Sequence, residues 1–293
     1  MNDLKLSVLV VSYNTRVLTE ACLQSLVRHC PDAEVIVVDN ASQDGSAQAV
    51  RERLPNARLV ELPVNEGFAG GNNAGLGLAG GEYILFLNSD TVIEDDSLTR
   101  LAVWMDSRPG FGAVSPRLIG PDGLEQQCLH PFPSLRRKCQ DFFRLAPNDK
   151  SNDIWLAGTC LMIRRQALDS IGGRLDDRHF MYWEDADLSN RLTQAGWKLA
   201  MVADCHVHHW GGASGGGADS SRRPDLHAWY IWGRLALIRQ RQGWWVGAVC
   251  SLMEWLDVGR KIIRGLLRFN RWAEVRQALA VCKMLWAGHP SRP

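Results

Sequence analysis

Three clusters in this 293-residue sequence combine residue types and spacings suited to chemistry. The first is Asn88-Ser89-Asp90, which closes the apolar run Tyr83 to Leu87. At the end of a buried strand, Asp90 can present its carboxylate to a hard cation. Mg²⁺ typically takes one or two protein carboxylates and completes its shell with phosphate oxygens, so Asp90 and one further ligand suffice to bridge a diphosphate. A plain turn of Asn, Ser and Asp is the alternative. The second cluster is Glu184-Asp185-Ala186-Asp187, preceded by Phe180-Met181-Tyr182-Trp183. Apolar neighbours raise a carboxyl pKa toward working pH, which suits one of these acids to act as a general base. Acids in a first helical turn also serve simply as partners of the helix dipole. The third, His206-Val207-His208-His209, follows a strand, so His206 and His208 share one face and His209 takes the other. One neutral imidazole from this group can complete the metal site, or all three can be ordinary histidines.

Positioning such groups requires a scaffold, and the first hundred residues alternate in period. Leu6 to Val11, Glu34 to Val38, Arg58 to Leu62 and Tyr83 to Leu87 are strand-like runs, while Thr15 to Arg28, Ser42 to Arg53 and Gly71 to Ala79 carry helical patterns. Alternation of this kind predicts an α/β fold with a parallel sheet; Ser42 and Asp44 are the expected capping residues of the second helix. Ligands of open α/β sheets sit beyond the carboxyl ends of the strands. Those ends carry Ser12-Tyr13-Asn14, Asp39-Asn40 and Asn88-Ser89-Asp90, three polar clusters on one rim. Turns rich in Asn and Asp would read the same way. Gly110 to Pro133 reads as irregular, with turn signals at Gly120-Pro121-Asp122-Gly123. A strand is then expected over Ile154 to Arg164, a helix over Glu184 to Ala195 and a strand over Lys198 to Ala203, before the Gly-rich run Gly211 to Gly217.

The net charge of +1 conceals an asymmetry, because Arg222 to the end carries +9 and residues 1 to 221 carry −8. Residues 227 to 287 read as helices that hold seven of the twelve tryptophans, interleaved with Arg260, Arg264, Arg268, Arg271 and Arg276. Basic amphipathic helices of this kind suit an anionic membrane surface; a helical cap that packs its tryptophans on the catalytic domain is the equal alternative. The apolar stretch Trp244 to Met253 is half of the roughly 20 residues that cross a bilayer. Met1-Asn2-Asp3-Leu4-Lys5 lacks the pattern of an export signal, so a cytoplasmic location is expected, peripheral on the inner face of the plasma membrane if the basic helices bind lipid. The eight cysteines include no Cys-x-x-Cys pair and read as reduced core residues.

Two motif matches fail on context. Gly75-Leu76-Gly77-Leu78-Ala79-Gly80 spells G-x-G-x-x-G, but it closes a helix and precedes a strand, the reverse of a dinucleotide fingerprint. Gly212-Ala213-Ser214-Gly215-Gly216 mimics a nucleophile elbow without a following amphipathic helix.

Over residues 5 to 215 the chain resembles the inverting GT-A glycosyltransferases of family 2, and within them the rhamnosyltransferase-like branch that builds bacterial surface polysaccharides. The resemblance is carried by Val10-Val11-Ser12-Tyr13-Asn14, Val38-Asp39-Asn40-Ala41-Ser42, Asn65-Glu66-Gly67-Phe68-Ala69-Gly70-Gly71-Asn72-Asn73, Asn88-Ser89-Asp90, Trp183-Glu184-Asp185-Ala186-Asp187-Leu188 and His208-His209-Trp210-Gly211. It implies a nucleotide-diphospho-sugar transferase fold, a Rossmann-like mixed sheet with a C-terminal helical extension. The catalytic domain would cover 1 to 221, with a nucleotide half to 110 and an acceptor half from 111, followed by the basic region 222 to 293. By resemblance, Asp39 hydrogen-bonds a pyrimidine base, and Ser12, Tyr13, Asn14, Asn65, Gly71, Asn72, Asn88 and Ser89 line the nucleotide. Asp90 would hold Mg²⁺ or Mn²⁺, with His208 as second ligand and His209 as its fallback. Asp185 would be the catalytic base, supported on the acceptor side by Trp183 and Glu184. The family's Asp-x-Asp stands here as Asn88-Ser89-Asp90, one carboxylate fewer.

The implied donor is dTDP-L-rhamnose, with a UDP-sugar as the alternative, and the implied acceptor is a hydroxyl of a polyprenyl-linked glycan; a nucleic-acid partner is not expected. A sugar nucleotidyltransferase would want a Gly-rich, basic triphosphate loop after the first strand, where this chain has Ser12-Tyr13-Asn14-Thr15-Arg16.

Overall fold

The computed structural model describes residues 6–146, 153–211, 224–267 and 272–290. They form two compact units, the first from Met1–His130, Trp155–Arg178 and Glu184–Ala218, the second from Pro131–Ile154, His179–Trp183 and Asp219–Pro293. The C-terminal helices therefore share their unit with two segments that precede residue 222.

In the first unit the β-branched runs become β1 (Leu6–Ser12), β2 (Glu34–Asp39), β3 (Arg58–Glu61) and β4 (Tyr83–Asn88). They pair in parallel in the order β3-β2-β1-β4, as the alternation predicts. The pleat sends Val8, Val10, Leu85 and Leu87 into one core and Leu9, Ile84 and Phe86 into the other, so both faces of the sheet are covered. The connecting helices are α1 (Arg16–His29), α2 (Ser46–Arg53) and α3 (Gly67–Leu76). Asp44 Oδ1 accepts from the Ser46 N–H at 3.0 Å, which starts α2 four residues later than expected. Asn65 Oδ1 accepts from the Gly67 N–H at 2.9 Å, which starts α3 four residues earlier. Gly75 packs on Val38, Leu9 and Ile36, a close approach that accounts for a glycine in the discarded dinucleotide pattern.

Beyond β4 the sheet turns mixed. Its further strands are β5 (Thr91–Val92), β6 (Phe111–Ile119), β7 (Glu125–Gln126), β10 (Cys160–Arg164) and β11 (Lys198–His209), after the short β8 (Leu129–Pro131) and β9 (Ile154–Leu156). The order continues β4-β10-β6-β11-β5, with β10 antiparallel to β4 and β6, and β11 parallel to β6. Three expectations are corrected. Gly110 to Pro133 is not irregular throughout: β6 is a nine-residue interior strand. Its glycine and proline hide it from a pattern search. Gly112 is there because a Cβ would come within 2.7 Å of Trp197 Cβ, and Pro116 faces a bulge where β11 jumps from Val202 to His206. The same bulge carries β11 past Ala203, so His206, His208 and His209 lie within a strand rather than after one. The run Ile154 to Arg164 splits at Ala157-Gly158-Thr159. The remaining helices of this unit are α4 (Ser97–Asp106), α6 (Arg165–Asp169) and α7 (Glu184–Gln194).

The second unit contains α5 (Leu135–Phe143), α8 (Pro224–Gln242), α9 (Trp244–Leu267) and α10 (Trp272–Ala287). Its apolar core joins Ala228, Ile231, Leu235 and Ile238 of α8 to Cys250 and Val258 of α9 and to Ala278, Val281 and Met284 of α10. Gly243, at φ +90°, takes the left-handed turn that separates α8 from α9. Among the described residues no helix is long and apolar enough to cross a membrane. The Gly-rich run after Gly211, with its serine-elbow look-alike, and Arg268 and Arg271 lie outside the described residues.

Candidate active site

At the carboxyl ends of β1 and β2 the rim is tied together by side chains. Asn14, in a left-handed conformation at φ 53°, donates its backbone N–H to Ser42 Oγ and accepts from the Gln43 N–H. Tyr13 beside it is half-buried. Asp39 is 4% exposed; its Oδ2 accepts from the Ser42 N–H at 3.0 Å, while Oδ1 has no hydrogen-bond partner among the described residues. A buried carboxylate oxygen without a donor is costly, and the imide N–H of a pyrimidine base is a donor of the right kind. Asn72 is likewise buried, with its Nδ2 donating to the Phe68 carbonyl and its Oδ1 without a partner among the described residues.

Sequence reasoning gave Asn40 no role, yet it bridges Glu66 N–H and the Gly67 carbonyl, fixing the loop of Asn65 against β2. Gly71 lies against Val11, where a Cβ would come within 2.8 Å, so its contribution is close packing of α3 on β1.

Under Asn88-Ser89-Asp90 lies a cluster of buried hydroxyls. Ser12 Oγ bonds to Thr15 and Thr19, and Thr15 bonds to Ser89 Oγ at 3.0 Å. Ser12, expected to line the nucleotide, thus has its side chain turned into this network. Thr15 and Thr19 were missed; their four-residue spacing at the start of α1 was the available signal. Asn88 accepts from Thr91 Oγ1 through its carbonyl and donates its N–H to the Thr159 carbonyl.

Asp90 is 3% exposed, and His209 Nε2 lies 3.4 Å from its Oδ1. Gln126 Nε2 donates to the His209 carbonyl, which leaves its Oε1 to accept from His209 Nδ1 at 2.6 Å. With Nδ1 turned to Gln126, Nε2 is the ring nitrogen that faces the Asp90 carboxylate. Two electron-rich atoms so placed need a proton or a cation between them. Of the two histidines named as the second ligand, His208 and its fallback His209, it is His209 that lies beside Asp90. Alternation along β11 turns His208 to Glu94, 3.2 Å away, and into ring contact with His206, leaving His209 on the Asp90 side. Among the described residues no three ligating side chains cluster as a closed metal site. The Asp90 and His209 pair fits a divalent ion that takes its remaining ligands from phosphate oxygens.

The three acids of α7 separate by environment. Asp187 is bound to Arg191, whose guanidinium also donates to the carbonyls of Ile171 and Arg174, so it holds that loop. Glu184 is buried, and its Oε2 has no hydrogen-bond partner among the described residues; burial, and then the charge of Asp185, push its pKa well above the ordinary range. Burial raises Asp185 to about 6, against the pull of the Gly158 and Ala186 N–H groups that donate to its two oxygens at 2.9 and 2.8 Å. Gly158 also sits beside Phe68 at the start of α3, and its neighbour Thr159 holds Asn88. The loop 157–159 thus ties the Asp185 carboxylate to the Asp90 strand end. Nothing in the sequence marks Gly158 for this role. Trp183 and Tyr182, both at left-handed φ, turn the chain just before α7, and the Trp183 ring packs in the second unit on Tyr230 and Gly233.

The model of glycosyl transferase family 2 matches residues 7–172. The chain belongs to this family. The N-acetylglucosaminyl-diphospho-decaprenol L-rhamnosyltransferase of Mycobacterium tuberculosis is 31% identical over 240 residues, covering 72% of this chain and 76% of that protein. An O-antigen biosynthesis protein of Myxococcus xanthus is 30% identical over 63% of this chain, which spans 15% of that protein. Two solved structures show the same GT-A fold. The mannosyltransferase PcManGT of Pyrobaculum calidifontis, in complex with GDP-Man and Mn²⁺, has a TM-score of 0.59 at 17% identity over 96% of this chain and 87% of that one. TarS of S. aureus has a TM-score of 0.57 at 17% identity, covering 99% of this chain and 50% of that one. The protein is a rhamnosyltransferase-like member of family 2.

In this glycosyltransferase the two histidines should separate cleanly by substitution. His209→Ala should weaken Mn²⁺-dependent binding of a nucleoside diphosphate by at least about tenfold, while His208→Ala, on the opposite face, should stay within about twofold. Titration calorimetry with and without Mn²⁺ measures both; the reverse ranking would restore His208.

Proposed function

We propose that this glycosyltransferase moves a sugar from a pyrimidine nucleoside diphosphate to a hydroxyl of a lipid-linked glycan in cell-envelope polysaccharide synthesis, inverting the anomeric configuration. The observation that carries the reading is the Asp185 carboxylate, held by two backbone N–H groups and raised to about 6. Such a group is ionised at neutral pH and still basic enough to take a proton in a transition state. Asp185 removes the proton of the acceptor hydroxyl as its oxygen bonds to the anomeric carbon. The bond from that carbon to the diphosphate oxygen breaks on the opposite side, and its electron pair leaves with the nucleoside diphosphate. One displacement inverts the centre. Asp90 and His209 would hold Mg²⁺ or Mn²⁺, which when bound offsets the charge gathering on the departing diphosphate.

The name of the mycobacterial relative supports L-rhamnose as the sugar, with dTDP-L-rhamnose as donor, and a decaprenyl-linked saccharide as the model for the acceptor. Asp39 Oδ1 accepts an imide N–H from thymine and uracil alike, so a UDP-sugar is the second reading.

Calorimetric titration with dTDP, UDP and GDP, each with and without Mg²⁺ or Mn²⁺, tests the donor half. Metal-strengthened binding of dTDP over the others is the expected result, and UDP in first place selects the second reading. Failure of both pyrimidine diphosphates to bind overturns the assignment of Asp39 and the donor class with it.

A further inference from the structure

Helix α9 has two apolar faces. One packs in the core of the second unit through Cys250, Met253 and Val258. On the other, Trp245, Val249, Leu252, Leu256 and Ile263 follow one another at intervals of 4, 3, 4 and 7 residues, the spacing that keeps side chains on a single helical stripe. All five are exposed, Trp245 at 76% and Leu252 at 60%, and Trp244 and Trp255 widen the stripe. A contiguous exposed apolar stripe of this length marks an interaction surface.

The surrounding charge says what kind. The only acids of α9, Glu254 and Asp257, are turned to cations of the same unit: Lys138 binds both, Arg234 binds Glu254 and Arg260 binds Asp257. No carboxylate lies on the stripe, and Arg260, Lys261 and Arg264 follow toward its C-terminal end. On α10, Arg276, Leu279, Lys283 and Trp286 recur at intervals of 3, 4 and 3, an exposed face that mixes cations with apolar groups, Trp286 at 87%. The region from Arg222 onward carries +9.

We infer that the exposed stripe of α9, with its basic flank, is the surface by which the protein docks on an anionic lipid bilayer. Apolar side chains enter the boundary between headgroups and acyl chains, tryptophans suit that boundary by having one polar edge, and arginines and lysines meet anionic headgroups. A second copy of the chain fits the same face less well, because it would bring like charges together without a carboxylate to answer them. The inference deepens the lipid-linked acceptor reading, since an acceptor anchored in a membrane is reached from its surface, but it is tested without the reaction.

The test is co-sedimentation of the full-length protein with vesicles of phosphatidylcholine, alone or mixed with phosphatidylglycerol. Binding to the mixed vesicles that weakens with salt, and little binding to phosphatidylcholine alone, is expected. One variant carrying Leu252→Ser, Leu256→Ser and Ile263→Ser should lose at least about 100-fold in vesicle affinity and keep its affinity for a nucleoside diphosphate. A second variant, Arg264→Gln with Lys283→Gln, spares the apolar stripe and should lose about 30-fold on the mixed vesicles. Absence of wild-type binding to mixed vesicles overturns the inference, as does wild-type affinity in both variants. A dimer by light scattering that the serine variant converts to monomer assigns the stripe to a second copy instead. Loss of vesicle binding with transfer to a detergent-dispersed acceptor intact leaves the proposed reaction standing apart from the docking surface.

Discussion

Asp185→Asn should lower the transfer rate by about 10²- to 10⁴-fold, the range general-base catalysis supplies, with nucleoside diphosphate affinity preserved. Asparagine keeps the size of the side chain and one oxygen to accept from Gly158 or Ala186, so the loop 157–159 and the strand end it supports should stay in place. What is lost is the ability to take a proton. The pH profile separates this from mere misplacement. With the Asp185 carboxyl at about 6, wild-type kcat/KM should rise as pH climbs through that value and level off above it, because the base works only after losing its own proton. The residual activity of the variant should lack that limb. Glu184→Gln should retain it, since burial, and then the charge of Asp185, push the Glu184 carboxyl well above its ordinary range. The raised Asp185 pKa also costs stability: its favourable contribution is full below the ordinary carboxyl range and disappears as pH rises through about 6. At neutral pH the asparagine variant should therefore be no less stable than wild type. Turnover comparable to wild type, or an unchanged acidic limb, would remove Asp185 from the reaction.

Glu254→Ala should destabilise the helical unit by about 3–5 kcal/mol, the penalty for breaking a buried ion pair from one side. Lys138 and Glu254 are 4% and 6% exposed in their side chains, with Nζ 2.8 Å from Oε1, and Arg234 closes on the same carboxylate. Among the described residues, removing Glu254 leaves Lys138 the part-exposed Asp257 at 3.0 Å and Arg234 the largely exposed Asp141 at 3.7 Å. Burial pushes the Glu254 carboxyl up, but Arg234 and then Lys138 outweigh it and hold the group below its ordinary range. Its stabilisation is thus present at neutral pH and is lost as pH falls through that lowered value. Urea denaturation followed by tryptophan fluorescence is a suitable measurement, because seven of the twelve tryptophans lie between residues 227 and 287. Replacing the pair together, Lys138→Met with Glu254→Leu, should recover the part of the loss that comes from Lys138, while Arg234 still lacks its buried partner. A single-substitution loss under about 1 kcal/mol would mean that water already reaches the pair.

Much of the first half of the fold is legible from local pattern. Parallel strands buried on both faces must be continuous apolar runs, and Val8 to Val11, Ile36 to Val38 and Ile84 to Leu87 are such runs. The second half is less legible because its strands contain residues chosen for tertiary fit. Gly112 and Pro116 look like breakers until Trp197 and the β11 bulge are seen beside them. At the candidate site residue type and position single out Asp90 at a strand end and the acidic group Glu184, Asp185 and Asp187 at a helix start, while the particular roles of Asp39 and Asp185 come from the family resemblance.

What the sequence by itself determined is the inventory and its periodicity: which strands run parallel, which polar clusters share the carboxyl rim, and that the C-terminal helices concentrate tryptophan and positive charge. What only tertiary structure decided is which of several equivalent groups faces what. His209 rather than His208 meets Asp90 because strand alternation and the register of β11 on β5 turn one imidazole to the rim and the next to Glu94. The three acids of α7 part company because Arg191 occupies Asp187, burial and the charge of Asp185 push the Glu184 carboxyl well above its ordinary range, and a backbone N–H from Gly158, 27 positions away, donates to the carboxylate of Asp185 between them. Pair energies of charges and hydrogen bonds fall off within a few ångströms, and distances of that kind between residues far apart in sequence exist only once the chain has folded.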